Sequence, residues 1–314
     1  MIKLFLLLNW IQALQLPLRF EMDKQQLNTK EVTELKTKLD FSRSSYCYED
    51  LQNWNCTTCS ETLQVSDINI VGEVSNSFGY VAYSKYLNTI VVAFRGTRNL
   101  NNWIRDLRWA KPDCPFPDAP EDAKIHLGFL QTWEELKPQV IENLMNLTMK
   151  YPKSHLLITG HSLGGAISTL AAVDLYSSYA DLNVLDWTVF TIGEPRVGNP
   201  EFAQWFSSFP FISFRVINQI DITPHLPPKW SGFLHSGREV WIENDEGDTF
   251  YCEDVENLES KQCANSNHVY SMVAHLQVWD ISIGRYACNH GDDPDDGDWH
   301  EDVSYLIKNN SIDL

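Results

Sequence analysis

The chain has 314 residues, of which 43% are hydrophobic, and it carries a formal net charge of −18 at pH 7. This length and composition predict one large α/β domain or two smaller ones, and they exclude a mostly disordered chain. The acidic balance makes nucleic acid a poor candidate partner, because phosphate groups and the protein repel each other. For the same reason, we expect weak binding to anionic membranes unless an apolar surface does the binding.

The first residues have the pattern of a secretory signal peptide. Lys3 precedes an apolar run that Asn9 and Gln12 interrupt, so the run is too short to span a bilayer. No other stretch of the chain is long and apolar enough to be a transmembrane anchor. We assign residues 1–16 to a signal peptide with an approximate boundary. The alternative is an N-terminal core helix. The signal peptide predicts a secreted, extracellular protein.

The cysteines and the glycosylation sequons also favour secretion. The chain contains seven cysteines, and sequons begin at Asn55, Asn146 and Asn309. Zinc binding is the competing use of cysteine. However, only Cys56 and Cys59 have a finger-like spacing, and no second pair with suitable spacing follows. Disulfides are therefore favoured, with one cysteine left over, and we expect no bound metal.

Apolar periodicity predicts helices that alternate with strands. The predicted helices cover residues 29–50, 132–149 and 163–176. The predicted strands cover residues 90–97, 155–160, 187–192 and 212–217. Such alternation predicts a mostly parallel central sheet that is covered by helices on both faces.

The last part of the chain differs in composition. Residues 289–314 are strongly acidic and contain the run DDPDDGDWHED. A calcium loop is one interpretation of this run. It fails the EF-hand pattern, because Pro294 and Val303 stand where that pattern has ligand residues. We therefore interpret residues 289–314 as a solvated acidic tail.

The most specific motif is the pentapeptide GHSLG at residues 160–164. It follows an apolar strand and precedes a helix of small residues, which is the context that a nucleophilic serine requires. A sharp turn exposes the hydroxyl group of Ser162, and the glycines on both sides remove Cβ atoms that would clash. The helix N-terminus then directs backbone N–H groups at a developing anion. The motif predicts Ser162 as a nucleophile.

A serine nucleophile needs a histidine base and an acid that holds the base in the correct tautomer. In this kind of fold the acid follows the serine in the chain and lies in a loop after a later strand. Asp221 meets this condition, since it leaves an apolar strand and precedes a turn with proline. Asp174 lies inside the helix of the nucleophile, and Asp186 precedes its strand. A turn-forming aspartate is the alternative interpretation of Asp221.

Six histidines follow the candidate nucleophile. Four are poor candidates because they stand among prolines, in a strand-like run or in the acidic tail, namely His225, His235, His290 and His300. His268 and His275 remain. The apolar residues that follow His275 favour it as the base, without excluding His268.

Several blocks in one order make the chain resemble the class 3 lipase family, the fungal-type triacylglycerol lipases. The blocks are FRGT at 94–97, NWIRDL at 102–107, HLGF at 126–129, GHSLGG at 160–165, EPRVGNP at 194–200, DITPHLPP at 221–228, GFLHSGREVW at 232–241 and HLQVWDI at 275–281. The resemblance assigns residues 28–288 to one catalytic domain with an α/β-hydrolase fold.

The resemblance implies specific roles. Ser162, Asp221 and His275 correspond to the catalytic triad, so the resemblance favours His275 as the base. The backbone N–H groups of Thr97 and Leu163 correspond to the oxyanion hole, to which the Thr97 hydroxyl adds a donor.

Further roles follow from the same resemblance. Asp106 corresponds to the residue that orients the Thr97 hydroxyl. The family's cysteine pattern implies the disulfides Cys47–Cys288, Cys56–Cys59 and Cys252–Cys263, with Cys114 unpaired.

An amphipathic segment follows Thr97, and the family has its lid here. Leu100, Trp103, Ile104 and Leu107 are spaced as one stripe of a helix. An ordinary surface helix whose stripe packs into the core is the alternative. A lid would cover the serine in water and present its stripe to acyl chains at a lipid surface.

These residues predict a secreted carboxylic ester hydrolase that cleaves acylglycerols, foremost triacylglycerol, at an oil–water interface. The reaction passes through an acyl-enzyme and needs no cofactor. A phospholipase A1 or galactolipase with a more open lid, and a feruloyl-type esterase with a polar lid, are alternatives. A non-enzymatic lipid-binding relative is less favoured, because such a protein is expected to lack a triad member.

Overall fold

The computed structural model describes residues 24–74, 77–97, 109–252 and 259–290. The expected signal peptide and all but the start of the acidic tail lie outside these ranges. The expected lid residues also lie outside them, namely Leu100, Trp103, Ile104 and Leu107. The same holds for Asp106 and for the glycosylation candidate Asn309.

The described residues form one sheet of nine strands and a small ladder of two. The strands of the large sheet are β1 (Lys24–Gln26), β2 (Val65–Gly72), β3 (Phe78–Ser84), β4 (Thr89–Phe94), β5 (Ser154–His161), β6 (Val184–Ile192), β7 (Ile212–Asn218), β8 (Glu239–Ile242) and β9 (Thr249–Cys252). The ladder pairs β10 (Gln277–Val278) with β11 (Ile281–Ser282). The large sheet has the order β1-β9-β8-β7-β6-β5-β4-β3-β2.

The centre of the sheet is parallel and its edges are antiparallel. Strands β4 to β8 pair in parallel. Strands β2, β3, β9 and β1 add antiparallel pairs at the two edges. The alternation of strands and helices therefore holds for the centre, whereas the expected mostly parallel sheet is mixed. The edge strands were missed because two of them are short and the others lie before the first recognised strand.

Five α-helices accompany the sheet within the described ranges. They are α1 (Thr29–Ser44), α2 (Leu127–Lys150), α3 (Leu163–Tyr179), α4 (Pro200–Ser208) and α5 (Arg285–His290). Helix α1 ends earlier than expected, after which the chain turns toward α5. Helix α2 begins earlier than expected, because Nδ1 of His126 accepts the N–H groups of Gly128 and Phe129 and caps the first turn.

Both faces of the sheet are buried. In β4, Val92 and Phe94 pack with α2, α3 and α4 on one face. Val91 and Ala93, which alternate with them, pack with α1 on the other face. This two-sided burial explains the continuous apolar run of residues 90–94 in β4.

Three disulfides join the described cysteines in the pairing that the resemblance implies. Cys47–Cys288 joins the segment after α1 to α5, Cys56–Cys59 closes a tight turn, and Cys252–Cys263 joins the last residue of β9 to a later loop. Cys114 is half-buried and is not disulfide-bonded, and burial raises the pKa of its thiol to about 11. This thiol is therefore protonated and weakly nucleophilic at neutral pH.

Candidate active site

Ser162 lies at a sharp turn between the end of β5 and the start of α3. Its backbone has φ 59° and ψ −128°, outside the regions that L-residues favour. The flanking glycines are required by packing. A Cβ at Gly160 would lie 2.3 Å from the carbonyl of Gly164, and a Cβ at Gly164 would lie 2.2 Å from the Phe94 oxygen. The motif thus forms the strained strand-to-helix turn that its sequence predicts.

Asp221 and His275 meet beyond the carboxyl end of the central strand β7. The Nδ1 atom of His275 lies 2.8 Å from Oδ2 of Asp221, and both residues are buried. The other carboxylate oxygen of Asp221 accepts the N–H of Thr223 at 2.8 Å. The two loops are also joined by backbone hydrogen bonds between Ser271 and residues 220 and 222. A carboxylate with two N–H donors is well suited to hold an imidazole ring in one orientation.

The other histidines are placed differently. His268 is exposed and His225 is buried against Tyr270. His235 precedes β8, so the strand-like run assigned to it is shorter than expected, and its Nε2 bonds to the carbonyl of Pro224. Of the two candidates that remained, the structure pairs His275 with Asp221.

The hydroxyl of Ser162 and the Nε2 atom of His275 are buried, and neither has a hydrogen-bond partner among the described residues. In structures without substrate, hydrogen bonds between catalytic groups are often long. Gly193 makes room for the histidine, since a Cβ there would lie 2.7 Å from Cε1 of His275 and 2.8 Å from Oδ2 of Asp221. Gly193 also has a positive φ of 55°, which a side chain would strain.

The expected oxyanion residues lie on either side of the serine. Leu163 is the first residue of α3, so its N–H points out of a helix N-terminus. Thr97 follows Gly96, whose Cβ position would be only 3.0 Å from Cβ of Ser162. The loop after β4 therefore packs closely against Ser162. The expected contact between Thr97 and Asp106 lies outside the described residues.

A buried ion pair holds the loop that follows Asp221. Nε and Nη2 of Arg196 donate to Glu259 at 2.8 and 3.1 Å, and Nη1 donates to the carbonyls of His225 and Pro227. Burial opposes ionisation of Glu259, yet Arg196 and the charges around it hold its pKa well below the usual value. The sequence does not predict this ion pair, because no local pattern links residues 196 and 259.

A second buried carboxyl packs against α3, the helix that begins after Ser162. Glu194 accepts hydrogen bonds from the hydroxyls of Thr169 at 2.6 Å and Thr191 at 2.5 Å. Burial raises the pKa of Glu194 to about 7. A Cβ at Gly165 would lie 3.1 Å from Cβ of Glu194, so this carboxyl packs directly against the first turn of α3. Sequence reasoning assigned Glu194 to a block without a role.

One group in the described part of the chain has the spacing of a metal site, namely Glu239 with Cys252 and Cys263. These two cysteines are bonded to each other, so their sulfurs are not available as thiolate ligands.

A sequence profile described as lipase (class 3) matches residues 91–230. A lipase of Rhizomucor miehei is 33% identical over 264 residues, which are 82% of this chain and 70% of that protein. A solved structure of Rhizomucor miehei triacylglyceride lipase superposes with a TM-score of 0.74 at 32% identity, covering 83% of this chain and 99% of that one. A secreted mono- and diacylglycerol lipase of Fusarium solani is 28% identical, over 71% of this chain and 66% of that protein.

Proposed function

Because this chain belongs to the class 3 lipase family, it is a carboxylic ester hydrolase, and we propose that it cleaves acylglycerols through an acyl-enzyme on Ser162. The 2.8 Å contact between His275 Nδ1 and Asp221 Oδ2, beside a serine held at a strained turn, carries this proposal. Nε2 on the same ring has no hydrogen-bond partner among the described residues, so it can take a proton from the serine.

The reaction has two half-steps. Oγ of Ser162 attacks the ester carbonyl carbon while Nε2 of His275 takes its proton, and Asp221 stabilises the resulting imidazolium. The N–H groups of Leu163 and Thr97 bind the oxyanion. The imidazolium then protonates the leaving alcohol. In the second half-step His275 removes a proton from water, which attacks the acyl-enzyme and releases the fatty acid.

We propose that Asp106 orients the Thr97 hydroxyl toward the oxyanion. We also propose secretion after removal of residues 1–16, with residues 28–288 as the catalytic domain and 289–314 as an acidic tail. The three disulfides support an oxidising compartment. Asn55 and Asn146 are exposed and thus accessible to glycosylation. Within the described ranges, no helix is long and apolar enough to cross a bilayer.

Two exposed tryptophans support a substrate at a lipid surface. Trp109 directly follows the candidate lid, and Trp230 follows the loop of Asp221. Their rings contact edge to face with centroids 5.0 Å apart. They are 39% and 74% exposed. Nζ of Lys111 bonds to the carbonyls of Ser231 and Gly232, which holds the two segments together. Tryptophan favours the boundary between water and lipid, because its ring is apolar and its N–H is polar.

The first test is the response to an interface. We expect hydrolysis of a short-chain triacylglycerol to rise sharply once the substrate exceeds its solubility and forms droplets. Trp103→Asp should lose most of the activity on droplets and keep much of it on dissolved ester, because a charge in the lid stripe opposes its contact with acyl chains. A pH-stat assay measures both substrates.

Equal losses on both substrates, or no rise in the parent protein, would favour the feruloyl-type esterase alternative. A panel of triacylglycerol, diacylglycerol, phospholipid, galactolipid and feruloyl ester then separates the remaining alternatives. A phospholipase A1 or galactolipase would prefer the polar lipids over triacylglycerol. A non-enzymatic relative would turn over none of them.

The second test concerns adsorption. We expect Trp230→Ser to weaken binding to an emulsion of uncharged lipid by about tenfold or more, since burying a large side chain contributes roughly 1.5–3 kcal/mol. Turnover of a dissolved ester should stay close to the parent value. Depletion of protein from the water phase measures the binding constant.

Met149→Ser is a matched control for this variant, because Met149 is also 74% exposed. Met149 lies near the end of α2, which precedes β5, whereas Ser162 follows β5. Met149 and Ser162 therefore lie at opposite ends of β5. We expect Met149→Ser to adsorb like the parent. Equal weakening by both substitutions would contradict a localised lipid-binding surface around Trp230.

A further inference from the structure

A chain of hydrogen bonds links Tyr46 to the loops around Ser162. The N–H of Gly96 lies 3.1 Å from the Tyr46 hydroxyl oxygen, and that oxygen lies 2.7 Å from Nδ1 of His161. On the other side of the ring, Nε2 of His161 lies 2.8 Å from the backbone oxygen of His275. Tyr46 and the two histidines are buried.

The directions of these hydrogen bonds follow from the chemistry of the atoms. The backbone oxygen of His275 can only accept, so Nε2 of His161 carries a proton. Burial and the nearby His275 hold the pKa of His161 well below the usual value, so the ring is neutral and its Nδ1 accepts. Tyr46 therefore donates its hydroxyl proton to His161 and accepts from Gly96. Every donor in the chain has an acceptor.

The residues in this series of hydrogen bonds lie next to groups that the proposed reaction uses. Gly96 precedes Thr97, and His161 precedes Ser162. Packing at the centre is tight, because a Cβ at Gly96 would lie 2.2 Å from the Tyr46 hydroxyl oxygen and 2.7 Å from the His161 carbonyl oxygen. The rings of His161 and His275 are also in contact, with centroids 4.3 Å apart.

We propose that Tyr46 is a positioning residue for ester hydrolysis. Its hydroxyl group holds the oxyanion loop at Gly96 and, through His161, holds the backbone of His275. The inference rests on the proposed function and adds a residue outside the proposed triad and oxyanion hole. Catalytic groups must be held within a fraction of an ångström, and a displacement of about 1 Å can cost on the order of a hundredfold in rate. One hydroxyl group here restrains both the base and the oxyanion loop.

The position of Tyr46 is itself restrained by the disulfide beside it. Tyr46 follows the end of α1, and its neighbour Cys47 is bonded to Cys288. The N–H of Tyr46 also bonds to the carbonyl of Arg43 at 3.1 Å. The segment after α1 therefore holds the Tyr46 hydroxyl group in a fixed position between Gly96 and His161.

Tyr46→Phe tests the proposal, because it removes one oxygen and keeps the ring. We expect kcat for a dissolved short-chain ester to fall by about tenfold or more, with KM nearly unchanged. Active sites are counted by titration with a phosphonate that reacts with the serine, so that kcat refers to folded and reactive molecules only. A purely structural tyrosine would lower the number of titrated sites or the melting temperature and leave kcat per site unchanged.

Tyr80→Phe is the matched control. Tyr80 is also fully buried, and its hydroxyl bonds to the Phe41 carbonyl at 2.8 Å and to Ser44 Oγ at 3.0 Å. It contacts the same helix as Tyr46 does but has no link to Gly96 or His161 among these bonds. We expect unchanged kcat per titrated site in Tyr80→Phe. Equal losses in both variants, or no loss in Tyr46→Phe, would overturn the proposal.

The His161 link has its own variants. The amide nitrogen of His161→Gln can approach the position of Nε2 and donate to His275, whereas His161→Phe cannot. We expect His161→Gln to retain more activity per site than His161→Phe. Combining Tyr46→Phe with His161→Phe should cost less than the product of the single losses, because both break one chain. Independent, multiplicative losses would show that Tyr46 does not act through His161.

A spectroscopic measurement separates this proposal from the proposed function. In ¹⁵N-histidine-labelled parent protein, His161 should be neutral and in the Nε2–H tautomer at pH 7. The signal of the Nδ1 proton of His275 should shift in Tyr46→Phe and stay in place in Tyr80→Phe. The opposite tautomer, or an unchanged His275 signal, would overturn the positioning role even in a protein that hydrolyses esters. A parent protein that is inactive on every ester would refute the proposed function. The spectra would still test the hydrogen bonds from Tyr46 through His161 to His275.

Discussion

His275→Ala should lower kcat/KM for a dissolved short-chain ester about a millionfold, to the level that oxyanion binding alone supports. A serine hydroxyl is a poor nucleophile until a base takes its proton. In the proposed mechanism that base is Nε2 of His275, a buried nitrogen without a hydrogen-bond partner among the described residues. Because the imidazole also protonates the leaving alcohol, both half-steps lose their proton carrier. Steady-state hydrolysis of a chromogenic butyrate ester measures the loss.

His268→Ala is the control for this substitution. His268 lies seven residues earlier in the chain and is exposed, whereas His275 is buried against Asp221. We expect His268→Ala to retain activity close to that of the parent. If the two variants exchanged these behaviours, the assignment of the base would be wrong.

Asp221→Asn should lower kcat by about ten-thousandfold with little change in shape. Both oxygens of Asp221 accept N–H groups, one from His275 and one from Thr223. An asparagine offers one oxygen and one NH₂ group, so it satisfies only one of these two donors. When its oxygen faces Thr223, its NH₂ group faces Nδ1 and forces the proton onto Nε2. The base then cannot accept the serine proton.

Asp174→Asn is a suitable control, since Asp174 is an equally buried acid at a distance from the triad. Its Oδ2 atom accepts from Nε1 of Trp133 and from Nζ of Lys137, each at 2.7 Å. We expect this variant to melt at a lower temperature, because it removes the charge of a buried aspartate that pairs with the partly exposed Lys137. Its kcat per titrated site should match that of the parent. A comparable loss of kcat in Asp174→Asn would mean that any buried aspartate affects turnover, and Asp221 would lose its special role.

The local elements of the centre could be predicted from the sequence. Strands β4 to β7, helix α3 and the turn at Ser162 each depend on residues within a few positions of one another. Apolar runs, small residues and the two glycines of GHSLG restrict the backbone by steric contacts that hold in any fold that buries them. The end of α1 and the start of α2 were harder to predict from apolar periodicity, which does not register a histidine cap such as that of His126 on α2.

The candidate site was only partly predictable from the residues themselves. Chain order and flanking residues indicated Asp221, but they left His268 and His275 open, and the resemblance to class 3 lipases favoured His275. The structure brings His275 to Asp221 across 54 positions of sequence. Arg196 with Glu259 and Tyr46 with His161 were not foreseen at all, since nothing in either segment marks its partner.

The sequence by itself therefore indicated the candidate nucleophile, the core strands around it and the acidic, cysteine-bearing character of the chain. Only the tertiary structure decided which distant side chains complete the site and that the sheet ends in antiparallel edges. The physical reason is that hydrogen bonds such as Tyr46 to His161, 115 positions apart, exist only after loops close and α1 packs on the sheet. Burial then removes competing water, and each of these polar groups must find its partner within the fold.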